Sequence, residues 1–288
     1  MAELVLFDCD NTLGLPLKEI DDGLALLYLL GQPQIELLGV TTTFGSGTVE
    51  QAYNQTRKLL IGLERPEIPL FQGAGRRSDG VTEAALFLAR IVDSYPGQIN
   101  LLASGPLGNI RTAAEVNPKF YSQLKQMIIV GGCLDMPRIG WRSLREINFA
   151  KDPVAAHDVL NAPCKKTVFS MEVCLQAPFR RNDIKRTGHW PAWLRRSLNN
   201  WMLTFSAYCG VSEFYLWGLL PAVYLNHPTL FSLKSTRVIS DIINLETGHL
   251  LLDDKENGNQ LNSPDKIQDP SAMLEIIFHA WEKALNLD

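Results

Sequence analysis

Short runs rich in Val, Ile and Leu punctuate the first two thirds of the chain, at residues 4–7, 35–42, 68–71, 99–103, 127–130 and 167–171. Brief apolar runs bounded by turn-forming residues are the signature of strands buried on both faces. Between them lie segments whose apolar residues recur at helical spacing, at 22–30, 48–63, 82–95, 108–116 and 152–160. Strands alternating with helices of this length need right-handed crossovers, so the pattern predicts an α/β fold: an open, mainly parallel sheet with helices on both faces. Local signals agree. Thr48 with Gln51 reads as a capping box, and Asp152 before Pro153 sets a carboxylate at an N-cap and proline at the first helical position.

The pattern changes after Met171. Residues 177–230 hold Arg-rich and Trp-rich helical stretches (Trp190, Trp193, Trp201, Trp217), which predict a helical cap over the sheet. Residues 239–252, with Glu246-Thr247-Gly248-His249 between two apolar runs, read as a C-terminal β-hairpin. Residues 254–269 read as a polar loop and 271–285 as an amphipathic helix. No repeat or low-complexity linker divides the chain, so residues 1–288 are expected to form a single domain.

Composition narrows the classes. The hydrophobic fraction is 46 % and the formal net charge −4, so a disordered chain and a nucleic-acid partner are both disfavoured. The basic residues that do cluster, between 180 and 196, read as a solvated face. Five cysteines (Cys9, Cys133, Cys164, Cys174, Cys209) form no CxxC pair, which suits reduced thiols and a cytoplasmic setting and implies no zinc site. The opening MAELVLFDCD lacks the basic region of an export signal, and the most apolar segment, 24–30, is far shorter than the ~20 residues of a membrane-spanning helix. A soluble protein with no membrane partner is expected.

Candidate chemistry concentrates near the N-terminus. Ligands of open parallel sheets bind beyond the carboxyl ends of the strands, where Asp8 and Asp10 follow the first predicted strand and Asp21 and Asp22 open the next helix. Four carboxylates facing one crevice repel one another unless a cation neutralises them, and oxygen-only ligation favours calcium or magnesium. The plainer alternative is that Asp21 caps its helix while Asp8 and Asp10 accept bonds from loop amides.

Two family resemblances bear on this cluster. LVLFDCDNTL (4–13) resembles the first motif of the haloacid dehalogenase-like phosphatases, which implies Asp8 as nucleophile, Asp10 as acid/base and Thr12 in support. The acidic motif that this family carries at the end of a later parallel strand has only Asp253-Asp254 as a candidate, after a predicted hairpin strand. The second resemblance covers more of the chain. Asp8-Cys9-Asp10 and Asp21-Asp22-Gly23-Leu24 are similar to the D-x-D-P-G-x-D-D pattern of the calcium-dependent nucleoside hydrolases. GVTTTFGSGTVEQA (39–52) and LLASGPLGNI (101–110) follow, then IIVGG (128–132), EIN (146–148) before Asp152-Pro153, and LLPAVYLNHPTLF (219–231), all in that family's order.

That resemblance implies a nucleoside hydrolase-like fold and cleavage of the N-glycosidic bond of a ribonucleoside or related ribosyl compound, with Ca2+ as cofactor. Asp10 would bind the metal and take the proton of the attacking water, Asp22 would chelate, Ser104 would offer its carbonyl, and Asp8 would belong to the same metal cluster. Asp21, Glu146 and Asn148 would hold ribose hydroxyls, the last two on one side of an extended segment. Ser46 stands where the family has asparagine and is expected at the substrate, and Trp217 could stack on a base. Homo-oligomers are common in the family and are expected here.

There are departures. Ten residues separate Asp10 from Asp21 where the family pattern has three. The family's His-Asp pair appears as Trp217-Gly218, and the stretch 72–81 is too short for the family's histidine-bearing loop. None of His157, His189, His227, His249 and His279 falls on a family catalytic position. A catalytically silent, ligand-binding relative is therefore a second reading, with the Asp8 phosphatase a third.

Overall fold

The computed structural model describes residues 2–253 and 258–287. Nine strands form one sheet. In chain order they are β1 (Glu3–Cys9), β2 (Ile35–Thr42), β3 (Leu70–Gln72), β4 (Ile99–Ala103) and β5 (Leu124–Val130), then β6 (Lys166–Phe169), β7 (Phe231–Ile239), β8 (Leu251–Leu252) and β9 (Asn259–Ile267). Side by side they run β8-β7-β9-β6-β5-β4-β1-β2-β3. From β9 to β3 every pairing is parallel. β7 is antiparallel to both its neighbours. The expected α/β class and mainly parallel sheet are borne out.

Eight longer helices surround the sheet: α1 (Asp21–Leu30), α2 (Val49–Gly62), α3 (Glu83–Ser94), α4 (Gly108–Val116), α5 (Pro153–Asn161), α6 (Ala192–Cys209), α7 (Leu219–Asn226) and α8 (Pro270–Ala284). Strand alternation divides the interior into two cores. Val5, Phe7 and Cys9 face α1, α7 and α8, while Leu6 faces α3, α4 and α5. The fully buried Trp281 of α8 donates its indole N–H to the Leu24 carbonyl (2.8 Å), tying the last helix to the first. Thr48 and Gln51 form the capping box, and Asp152 caps α5 through the Ala155 N–H.

The C-terminal region departs from expectation. Residues 239–252 are not a hairpin: Asp241 caps a short helix, Ile242–Leu245, and only Leu251–Leu252 returns to pair with β7. The longer antiparallel partner of β7 is β9, inside the segment read as a polar loop. Its buried residues, Leu261, Pro264 and Ile267, stand three apart rather than alternating, and the register shift at Ser232/Leu233 accounts for the last of these steps. The Asp253-Asp254 candidate follows an antiparallel edge strand, and Asp254 lies outside the described residues. The cap contains α6 and the short helix Arg181–Arg186, joined by a two-stranded ribbon of Pro178–Arg180 with Glu213–Tyr215. Among the described residues no helix is long and apolar enough to cross a membrane.

Candidate active site

Strand order reverses at β1, which has β4 on one side and β2 on the other. A cavity opens beyond its carboxyl end, the switch point at which open sheets bind ligands. Its lining has an acidic part, Asp10, Glu19, Asp21 and Asp22, here called the acidic end, and an aromatic part, Trp201, Phe205, Tyr208 and Trp217, the aromatic end, with Glu146 and Asn148 also on the wall.

The acidic end is held by main chain. Asp10 lies just past β1, and its Oδ2 accepts from the Ser46 N–H. Gly45 permits this approach, since a Cβ there would run into the same carboxylate. The Asp10 N–H donates to Asp22 Oδ2 (2.9 Å), and the Gly218 N–H donates to Asp21 Oδ2 (2.7 Å). A Cβ at Gly218 would strike Asp22 Oδ1, so Asp22 occupies the room that a side chain at 218 would take.

Burial raises the proton affinity of all four acids, and repulsion from neighbouring carboxylates adds to it at Glu19, Asp21 and Asp22. It pushes Asp21 up to about 6, and burial together with the Asp21 charge pushes Glu19 up to about 8. Asp10 is raised chiefly by burial, and Asp22 well above its usual range by burial and then by Asp10 and Asp21. Among the described residues no cationic side chain pairs with these acids. The ammonium groups of Lys18 and Lys151 bond to the carbonyls of Ser46 and Gly45 instead (both 2.6 Å). An all-oxygen, mutually repelling donor set fits a hard cation. Among the described residues no three acid, histidine or cysteine side chains converge in a metal-holding group, so Asp10 and Asp22 would be joined by carbonyl oxygen and by ligand or water oxygens.

Asp8, expected in the metal cluster, lies elsewhere. It is still inside β1, on the side that Leu6 takes, whereas Asp10 lies past the strand's carboxyl end at the cavity. Asp8 Oδ1 accepts from Thr41 Oγ1 (2.5 Å) and from Asn109 Nδ2 of α4 (2.8 Å). Its Oδ2 is buried without a partner, and burial pushes the carboxyl up to about 7. It is neither a cavity acid nor an accessible nucleophile.

Glu146 and Asn148 do reach the cavity, but not from an extended segment. Asn148 opens a helical turn, Asn148–Lys151, and the Glu146 carboxylate accepts the N–H groups of Asn148 (2.7 Å), Phe149 and Ala150 (both 3.1 Å). Asn148 Nδ2 in turn donates to the carbonyls of Ser104 (2.9 Å) and Val130 (3.1 Å), bonds that leave its Oδ1 uncommitted. Ser104 is buried at the cavity wall. Ser46 lines the cavity too, but its N–H, hydroxyl and carbonyl are all taken by Asp10, Glu19 and Lys18, so it organises the acids.

In the aromatic part Trp217 stands beside Tyr215 (ring centroids 5.4 Å), and Tyr215 beside Phe205 (6.0 Å). Trp201, Phe205 and Tyr208 were not singled out together, although their i, i+4, i+7 spacing on α6 is a readable helix face. Trp190 is core, packed on Phe278 and Trp281. None of the five histidines lines the cavity. His189, for one, faces Glu282 at 3.2 Å.

A sequence profile of the inosine-uridine preferring nucleoside hydrolases matches residues 5–276. The chain belongs to that family. Uridine nucleosidase 1 of Arabidopsis thaliana is 26 % identical, over 81 % of this chain and 79 % of that protein. The pyrimidine-specific ribonucleoside hydrolase RihA of Klebsiella pneumoniae is 24 % identical, over 65 % of this chain and 66 % of its own length. Two solved structures share the fold at 19 % identity. A plant nucleoside hydrolase superposes with a TM-score of 0.84, covering 99 % of both chains, and a purine-preferring ribonucleoside hydrolase from Gardnerella vaginalis with 0.85, covering 98 % of this chain and 99 % of that one. As a nucleoside hydrolase this chain is an enzyme of ribonucleoside hydrolysis, and neither the phosphatase nor the silent reading draws support from these relatives.

Proposed function

We propose that this chain releases ribose from a ribonucleoside by direct attack of water, with its acids acting on the sugar and its aromatic wall receiving the base. One observation carries the reading: Asp10, Asp21 and Asp22 share a cavity with the aromatic face of α6 and Trp217, joined by the wall that bears Asn148. Departure of the base leaves an oxocarbenium-like sugar, which nearby carboxylates stabilise and water attacks. Asp10 takes the proton from that water, since its carboxylate is held in place by the Ser46 N–H. Asp21 accepts a sugar hydroxyl, and Asn148 Oδ1 accepts another. Glu146 acts mainly by fixing the turn that carries Asn148. A calcium-type ion held by Asp10, Asp22 and the Ser104 carbonyl would neutralise the acids and acidify the water.

The relatives named for uridine and for pyrimidines make uridine the first substrate to try. A cytoplasmic setting is part of this reading, supported by five unpaired cysteines, and so is a homo-oligomer, which sedimentation tests. The deciding assay measures reducing-sugar release from purine and pyrimidine nucleosides with calcium or with chelator, beside a generic phosphatase assay. Release that chelator suppresses is expected. No release from any nucleoside, or a phosphatase activity lost in Asp8→Asn, would overturn the reading.

A further inference from the structure

The lengthened loop between Asp10 and Asp21 folds inward. Asn11, Thr12, Leu13 and Ile20 are buried. Asn11 Nδ2 donates to Thr56 Oγ1 of α2 (3.2 Å), and Thr12 Oγ1 donates to the Glu19 carbonyl (2.7 Å), which closes the neck of the loop. Beside that neck, Lys18 Nζ ties the loop to the Ser46 carbonyl (2.6 Å). The outcome is that Glu19 lines the cavity next in sequence to Ile20 and Asp21, with its Oε2 accepting from Ser46 Oγ (2.8 Å).

Glu19 differs from the other cavity acids in how it is held. Asp10, Asp21 and Asp22 each receive a backbone N–H, whereas the bond given to Glu19 is a single serine hydroxyl on one oxygen. Its second oxygen is left for another donor. Placing a further carboxylate among three others is unfavourable by itself, and a loop tethered at Thr12 and Lys18 nonetheless brings it there. A sugar hydroxyl is the donor that suits such an acceptor, because it can donate to the free oxygen and adds no charge of its own.

We propose that Glu19 is a sugar-recognition residue, whose Oε1 accepts a hydrogen bond from one ribosyl hydroxyl on the Asp21 side of the cavity. The proposal rests on the ribonucleoside reading and adds to it a contact made by this chain's own loop. A site built to bond a hydroxyl discriminates against the analogue that lacks it, so substitution and hydroxyl deletion together form a cycle.

The test measures kcat and KM for the best ribonucleoside and for its 2′-deoxy, 3′-deoxy and 5′-deoxy analogues, with unmodified enzyme, Glu19→Gln, Glu19→Asp and Ser46→Ala, and with melting curves for each. Glu19→Gln keeps the shape and an acceptor for Ser46 but puts an amide NH2, which cannot accept, where the free oxygen was. It is expected to lower kcat/KM for the ribonucleoside about tenfold, the scale of one lost hydrogen bond in the transition state. For one deoxy analogue the variant and the unmodified enzyme should agree to within about twofold, since the hydroxyl is already absent. Glu19→Asp, with shorter reach, should follow the same pattern. An equal loss on the ribonucleoside and on all three analogues, or no loss at all, overturns the inference and leaves the ribonucleoside reading standing; Ser46→Ala, which frees Glu19 Oε2 but keeps the N–H on Asp10, should give a smaller loss of the same selective kind. Should the unmodified enzyme release no sugar from any nucleoside, both fall.

Discussion

At the acidic end of the cavity Asp10, Asp21 and Asp22 are each gripped by a main-chain N–H, in loops that leave the carboxyl ends of parallel strands or open a helix. At the aromatic end the walls are side chains on one face of α6 together with Trp217, held by ring packing. Directional bonds fix atoms to a fraction of an ångström, and apolar walls chiefly fix a volume. The acidic end is thus built for the reacting bond, and the aromatic end for admitting a planar leaving group of more than one size. Substitutions at the first should act on kcat, those at the second on KM.

The largest effect is expected for Asp10→Asn, which keeps the shape but removes the base: kcat should fall about 10³-fold, with the melting curve unimpaired. Rates that survive this change would break the assignment of the chemistry to the acidic end. Asn148→Ala comes next. It leaves the Ser104 and Val130 carbonyls without their side-chain donor, so kcat/KM should drop about tenfold or more and stability by about 1–3 kcal/mol. Kinetics and denaturant unfolding read the two separately.

At the other end, Trp217→Leu should raise KM several-fold, shift the purine-to-pyrimidine ratio and leave kcat within about threefold, on the scale of a partly lost aromatic contact. A fall in kcat matching that of Asn148→Ala would mean that the aromatic end takes part in bond breaking, and the contrast between the two ends would fail.

Legibility in the sequence followed the same physics. β1, β2 and β4 to β6 were readable because strands buried on both faces appear as unbroken apolar runs, and α1 to α5 because one-sided burial imposes a helical period. β9 was not: it lies inside the sheet between β7 and β6, but its register shifts and its buried residues do not alternate, so its sequence reads as polar. Asp10, Asp21, Asp22, Glu146 and Asn148 were named from motif order, and all five line the cavity. Asp8 was grouped with them because sequence proximity does not show where a strand ends: Asp8 is still inside β1, bonded to Thr41 and Asn109, whereas Asp10 lies just past its carboxyl end. Glu146 and Asn148 were read as extended because spacing alone does not reveal that a carboxylate gathers three N–H groups into a turn. The aromatic face of α6 was written plainly at residues 201, 205 and 208, but it had no motif attached to it.

Asp8 supplies the last and smallest test for catalysis, because it lies outside both ends. Its carboxyl is raised from 3.8 to about 7, first by burial and against the bonds from Thr41 and Asn109. Between about pH 4 and about pH 7 the folded protein therefore holds a proton that the unfolded chain has lost. Stability from this group is fully present below about pH 4 and is lost as pH rises through the folded value, at up to about 1.4 kcal/mol per pH unit. Asp8→Asn mimics the protonated form and does not titrate. In melts with chelator present at pH 5, 6, 7 and 8, the variant should gain on the unmodified protein as pH rises, with the gain levelling off above about pH 7. Glu19 and Asp21, also raised by burial, slope the same way in both proteins and cancel from the difference. Ribose release by Asp8→Asn should stay within about threefold of the unmodified enzyme, since the cavity does not include this side chain. A stability difference that is constant across pH would show that Asp8 is already ionised in the fold, and a collapse of ribose release would return it to the acidic end from which its strand position excludes it.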